Sequence, residues 1–274
     1  MFSNTSAGEV TPLLSTSHRP RARSLLSRWH KHLRVDVSRD WADCILVFCY
    51  LITGLLDSAS ISVWGSFVSM QTGNTVYLGL GLASPSASTR WIKSGTSLVA
   101  FCVGSFLFSR FHRCFSPKRR WVLAASFATQ AALTAAAAAS ITATTTTSAA
   151  TRPGRENNDA GWRVLVPIAL VALQSCGQAV VSRVLRYNGL PSVVLTSLYC
   201  DLFSDADLFA LRNNVERNQR AAAPLSLLLG AFIGGKFARS SLGVAGALWA
   251  ASALKAALVL VWLAWPAAVA EEAL

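Results

Sequence analysis

Carboxylates are scarce in this chain, with 13 Asp and Glu against 25 Lys and Arg in 274 residues. Charged residues make up 14% and hydrophobic residues 53%, whereas a soluble domain carries roughly 25% charged residues. That usage excludes an ordinary soluble globule and requires several apolar spans. Histidine is as sparse: His18, His30, His32 and His112 all sit in basic, peripheral stretches. With no G-x-S-x-G, H-E-x-x-H or phosphate loop beside them, no enzyme is expected. The six cysteines, Cys44, Cys49, Cys102, Cys114, Cys176 and Cys200, show no C-x-x-C spacing and lie mostly in apolar runs. They read as small buried apolar residues, and no disulfide framework, metal site or cofactor is implied.

The net charge of +12 would point to nucleic acid in a soluble protein. Here the basic residues fall mostly between apolar runs and no basic domain stands apart, which excludes that partner. In a membrane protein the same residues set orientation.

Six apolar runs approach the ~20 residues a bilayer requires. They are Trp41 to Ala59, Trp91 to Phe111, Trp121 to Ile141, Trp162 to Val181, Ala222 to Ala238 and Leu242 to Trp265. The expected fold class is all-α, a polytopic membrane helix bundle of about six spans, and the lipid bilayer is its first partner. Residues 1–40 form a basic, largely disordered cytoplasmic tail, 41–266 the membrane domain and 267–274 a short cytoplasmic tail. In the first tail Glu9, Leu13 and Leu14 match an acidic dileucine sorting signal, which implies a sorting adaptor and a vacuolar or endosomal membrane, with the plasma membrane as the other destination. Further on, Leu25, Leu26, Trp29 and Leu33 recur at helical spacing among Arg28, Lys31 and Arg34. That is the pattern of a helix on an anionic membrane surface; a solvated basic linker is the plainer reading.

The stretch Ser58 to Ala83 sits at membrane depth without reading as a span. Its polar centre, Gln71-Thr72-Gly73-Asn74-Thr75, predicts backbone broken at the glycine, tolerated only where protein or a wet cavity surrounds it. If it dips in and returns, 17 basic residues face the cytoplasm and seven the outside, as the positive-inside rule requires. A Thr- and Ala-rich external loop, 142–161, then divides repeat one (41–141) from repeat two (162–266). Repeat two carries its own irregular element, Pro191 to Leu202. Three spans per half make the halves inverted, the plan of many secondary transporters.

At these elements the chain resembles a known family. Gly54-Leu55-Leu56-Asp57, Phe67 to Val76, Val194 to Leu202 and Ser204-Asp205 look like the YoaK-like family of integral membrane proteins of unknown function, specifically its fungal members, over residues 40–266. The resemblance implies about six spans and a T-G-N element, here Thr72-Gly73-Asn74. Where bacterial relatives tend to repeat T-G, this chain has Thr196-Ser197. No activity or substrate comes with the likeness.

Few residues could carry chemistry. Asp57 lies late in the first span, where a carboxylate is costly unless paired or wetted; it is a site residue or one hydrated near the interface. Lys255 is mid-span, able to pair with Asp57 or to be wetted by a cavity. Gln71, Thr72, Asn74 and Thr75 beside Gly73 would line a half-helix start suited to an anionic or dipolar ligand, or serve a purely structural broken helix. Gln174, Gln178, Thr196, Ser197 and Asp201 are the matching candidates of the second half. Ser204 and Asp207 fit a helix cap, and Gly230-x-x-x-Gly234 a packing motif. The function expected is a secondary transporter or channel for a small polar or anionic solute; the alternative is a non-transporting membrane adaptor or structural protein.

Overall fold

The computed structural model describes residues 21–148, 161–187, 189–210 and 214–268. The sorting motif at Glu9, Leu13 and Leu14 lies outside them. Nine helices are formed among the described residues: α1 (Arg21–Arg34), α2 (Ala42–Trp64), α3 (Gln71–Ala83), α4 (Arg90–Cys114), α5 (Arg120–Ser148), α6 (Trp162–Val184), α7 (Thr196–Phe203), α8 (Val215–Ala238) and α9 (Gly243–Ala264). Six of them, α2, α4, α5, α6, α8 and α9, are long and apolar enough to cross a membrane. With 13 and 8 residues, α3 and α7 reach about 20 and 12 Å, short of the ~30 Å hydrocarbon core.

The hydrogen bonds between helix ends sort the bundle into two faces. At the basic face Val37 N donates to Lys118 O (3.0 Å), Arg120 N to Val35 O (3.1 Å) and Ser38 N to Pro266 O (3.0 Å). The Arg120 guanidinium donates to the carbonyls of His32 and Trp265. Tyr187 Oη donates to Arg39 O at 2.8 Å, and Gln219 Nε2 to Asp43 Oδ2 at 2.7 Å. The segment before α2, the α4–α5 turn and the neighbouring ends of α6, α8 and α9 therefore share one face. At the opposite face the Arg90 side chain donates to Gly65 O. A cavity of about 700 Å³ there is lined by Trp64, Ile141, Trp162 and Leu242 among others. The spans alternate between these faces, and neither α3 nor α7 crosses.

Between apolar helices in lipid, close backbone approach matters more than greasy area, because lipid tails already match Leu. The tightest pairs here follow that rule. Helix α2 packs most extensively on α8, α5 on α9 and α4 on α6. Gly230 and Gly234 of α8 lie against the Leu51 and Leu55 carbonyls of α2, and Gly104 of α4 lies against the Leu173 carbonyl of α6. Helix α3 packs on α4, and α7 on α8. Around these seams Ile52, Leu56, Phe127, Ile168, Val171, Leu248 and Trp262 form the main apolar core.

Several expectations are corrected. The first span continues to Trp64, so Ser58 to Trp64 belongs to α2. The backbone breaks at Gly65, whose φ of 73° suits glycine, and not at Gly73, which sits inside the first turn of α3. Helix α5 runs to Ser148, into the segment expected as loop, and Thr142 and Thr144 there return their hydroxyls to the carbonyls of Ala138 and Ser140. Only Cys49 and Cys176 are buried; the other four cysteines are exposed, and all six are free. Asn214, not Ser204, caps α8, its side chain accepting from Arg217 N at 3.0 Å.

Candidate functional site

The re-entrant element starts where Gly65 N returns to Ile61 O at 3.1 Å and closes α2. Ser66 to Met70 then run back along the last turns of α2. Ser60 Oγ donates to Ser66 O at 2.7 Å. Asp57 Oδ1 accepts from Val68 N (2.8 Å) and Ser69 N (2.9 Å), and Oδ2 accepts from Ser69 Oγ. These are the backbone groups that lipid could not satisfy. Asp57 is therefore a buried clamp on the break, at 4% exposure.

Asn74 completes the clamp from the other side. Its Oδ1 accepts from Phe67 N at 3.1 Å, while Nδ2 donates to Phe67 O (2.8 Å), Gln71 Oε1 (2.9 Å) and Ser97 Oγ of α4 (3.1 Å). Gln71 Nε2 donates to Val68 O and to Ser97 Oγ. Thr75 Oγ1 turns back to Gln71 O at 2.8 Å, and Gly73 sits against the Phe67 ring. Thr72, by contrast, is exposed.

Lys255 lies in a second buried cluster. Its Nζ donates to Gln130 Oε1 of α5 at 2.6 Å and to Gln178 Oε1 of α6. Gln178 Nε2 passes the chain on to Thr53 Oγ1 (3.0 Å) and Cys49 O (3.2 Å) of α2. Among the described residues neither Lys255 nor Asp57 has an ion-pair partner, so the two do not pair. Gln174 is fully buried, and neither its amide oxygen nor its nitrogen has a hydrogen-bond partner.

The irregular segment of repeat two is held from α2. Thr53 Oγ1 donates to Ser192 O at 2.8 Å, and Tyr50 Oη to Val194 O at 3.2 Å. Ser192 is buried with φ 63°, a strained setting for a non-glycine residue. Thr196, Ser197 and Asp201 follow on α7 and are exposed, with only Leu198 of that helix buried.

A cavity of about 530 Å³ links the first of these elements to the basic face. Ser69, Gln71 and the exposed Thr72 line its far end, Ser105, Ser109 and His112 of α4 line its length, and Arg113 and Arg183 stand at the basic face. The opposing wall is apolar, made by Ala179, Val180, Val184, Val193 and Val194. Thr196, Ser197, Asp201, Gln174, Gln178, Asp57 and Lys255 are not among its lining residues.

Residues 45–261 match the model of DUF1275, described as a protein of unknown function. The chain belongs to the DUF1275 family. No curated protein and no solved structure matches it. With six apolar helices, this DUF1275 member is a multi-pass integral membrane protein. Sequence reasoning missed Ser105, Ser109 and His112, although their spacing of four and three puts them on one face of α4. His112 is not peripheral: it is 1% exposed.

Proposed function

We propose that this protein binds and passes a small polar or anionic solute as a secondary transporter or channel. The observation that carries the reading is the 530 Å³ cavity running from the basic face to the start of the half-helix α3. The first N–H groups of a helix have no intrahelical acceptor, and at membrane depth they gain from a solute that provides one. Helix pairing supports the repeat plan. Exchanging α2, α3, α4 and α5 for α6, α7, α8 and α9 turns the α2–α8 pair into α6–α4 and the α3–α4 pair into α7–α8, and leaves α5–α9 in place. Two inverted three-span repeats have that property, and transporters built so place their sites at the broken segments. The positive-inside rule makes the basic face cytoplasmic. The narrower YoaK-like grouping rests on Thr72-Gly73-Asn74, and vacuolar or endosomal sorting through an adaptor on Glu9, Leu13 and Leu14. No catalytic role is proposed.

One observation favours the alternative, a non-transporting membrane adaptor or structural protein. Asp57, Asn74 and Lys255 are satisfied by protein groups, as in a sealed bundle. Uptake by proteoliposomes across a panel of solutes and pH gradients separates the readings. Transport requires uptake by the native chain that Ser109→Trp, which plugs the vestibule, removes without loss of folded protein. If no solute moves, the structural reading stands.

A further inference from the structure

We infer that the vestibule is selective for organic monoanions, a carboxylate on an apolar body, an inference that rests on the transport reading above. Charge is the first argument. The lining contains Arg113 and Arg183 and no Asp or Glu. Neither arginine forms an ion pair among the described residues, and Arg183 reaches only the Ala179 carbonyl, at 3.4 Å. A low-dielectric cleft lined by one sign of charge concentrates the opposite sign. Asp57 stands behind the lining residue Ser69 and is not itself part of the lining; its oxygens are occupied by Val68 N, Ser69 N and Ser69 Oγ.

Unfilled hydrogen-bonding capacity is the second argument. His112 is 1% exposed, and its ring nitrogens make no close hydrogen bond, the Pro117 backbone carbonyl being the one acceptor beside them. A buried polar group left so is costly and calls for a ligand atom. Between Ser97, beside Gln71, and His112 the α4 axis advances about 22 Å at 1.5 Å per residue. Ser105 and Ser109 stand half-buried between those levels. The stripe thus offers donors from the mouth to the first turn of α3.

Shape supplies the third argument. Phe101, Val180, Val184, Val193 and Val194 line the same cavity. An apolar wall facing a narrow polar stripe is the ordinary composition of a small-molecule pocket. An inorganic anion would leave that wall unused, and a cation would meet the arginines.

The test uses the full-length protein in lipid nanodiscs for binding and in proteoliposomes for uptake. Butyrate and benzoate are compared with butyramide and benzamide, with butylammonium, and with chloride and phosphate. The carboxylates should raise thermal stability and be taken up at least about tenfold better than their amides, a difference of 1.4 kcal/mol. Arg183→Gln and His112→Gln should each weaken carboxylate binding while the unliganded protein remains folded. If amides or butylammonium move as well as the carboxylates, the anion inference falls and the transport reading survives. If chloride or phosphate is preferred, the organic class falls. If no member of the panel binds or moves through protein that remains folded, both readings fall.

Discussion

Thr53 of α2 donates a hydrogen bond to the Ser192 carbonyl in the segment before α7, and Ser175 of α6 donates one of the same length, 2.8 Å, to the Val68 carbonyl in the segment before α3. Each half of the chain thereby holds the irregular segment of the other. The two bonds are not equally buttressed. Val68 O also receives Gln71 Nε2 at 3.1 Å, so Ser175→Ala leaves it a partner. Thr53 Oγ1 is in addition the acceptor for Gln178 Nε2, so Thr53→Val takes this donor from Ser192 O and one of two acceptors from Gln178 Nε2, which keeps Cys49 O. Ser175→Ala should lower stability by about 1 kcal/mol and Thr53→Val by about 2 to 3 kcal/mol. Thermal unfolding in detergent checks the order; equal effects would refute the assignment of these bonds.

Asp57 gives the second prediction. Its carboxylate closes two buried backbone N–H groups at the break. An amide oxygen can accept the same two bonds, so Asp57→Asn should fold and cost about 1 kcal/mol. Asp57→Leu leaves both N–H groups bare and should cost about 2 to 5 kcal/mol. Folded yield by size-exclusion fluorescence is the measurement. A native-like Asp57→Leu variant would show that the break needs no clamp.

Lys255 and Gln178 supply the third. Gln178→Leu takes one of the two acceptors from a fully buried amine, and an under-satisfied polar group in a core is worse than none. Lys255→Met with Gln178→Leu removes donor and acceptor together. The double variant should therefore be more stable than Gln178→Leu alone, by about 1 to 3 kcal/mol. Additive losses would mean the two residues are not coupled.

How much of this was legible in the residues follows from what each signal measures. The six spans were, because an apolar run near twenty residues has few other uses. Their ends were not. Ser58, Ser60 and Ser62 look like an exit from the membrane, yet Ser58 and Ser62 return their hydroxyls to Leu55 O and Ser58 O inside α2. Gly73 drew attention by standing among polar residues, while the actual break, Gly65, follows Trp64 unremarked. Asp57 was found as an intramembrane acid, but its partners are backbone groups that sequence cannot place. Thr196, Ser197 and Asp201 were chosen by analogy between halves, and the analogy holds for the segment before them, at Ser192, and not for their side chains. His112 hid in a basic stretch because charge composition says nothing of which helix face a residue occupies.

A fourth prediction concerns the α2–α8 seam. A Cβ on Gly230 would fall on the Leu51 carbonyl, whereas one on Gly235 would meet nothing within 4 Å. Gly230→Ala must push α8 off α2 and should cost about 2 to 4 kcal/mol, in the range of overpacked cores and lost close packing. Gly235→Ala should be neutral or stabilising by a few tenths of a kcal/mol, since alanine is the better helix former. Similar unfolding temperatures for the two would remove Gly230 from the seam.

The last prediction joins topology to the vestibule. Thr72 lies in the first turn of α3, reached by the segment that leaves the Gly65 end of α2 at the face opposite the basic one. A span crossing from that face would expose Thr72 to the near side. The re-entrant course instead turns it into the cavity whose mouth is flanked by Arg113 and Arg183, so reagents should reach it from the basic face. In a cysteine-free background, an impermeant thiol reagent on intact cells should label Ser86→Cys and spare Arg119→Cys and Thr72→Cys. After permeabilisation all three should react, Thr72→Cys most slowly because it lies at the end of the cavity farthest from the basic face. Prior filling of the vestibule by Ser109→Trp should protect Thr72→Cys and leave Arg119→Cys unchanged. Labelling of Thr72→Cys from the Ser86 side would place the opening at the wrong face, and with it the path proposed for the solute.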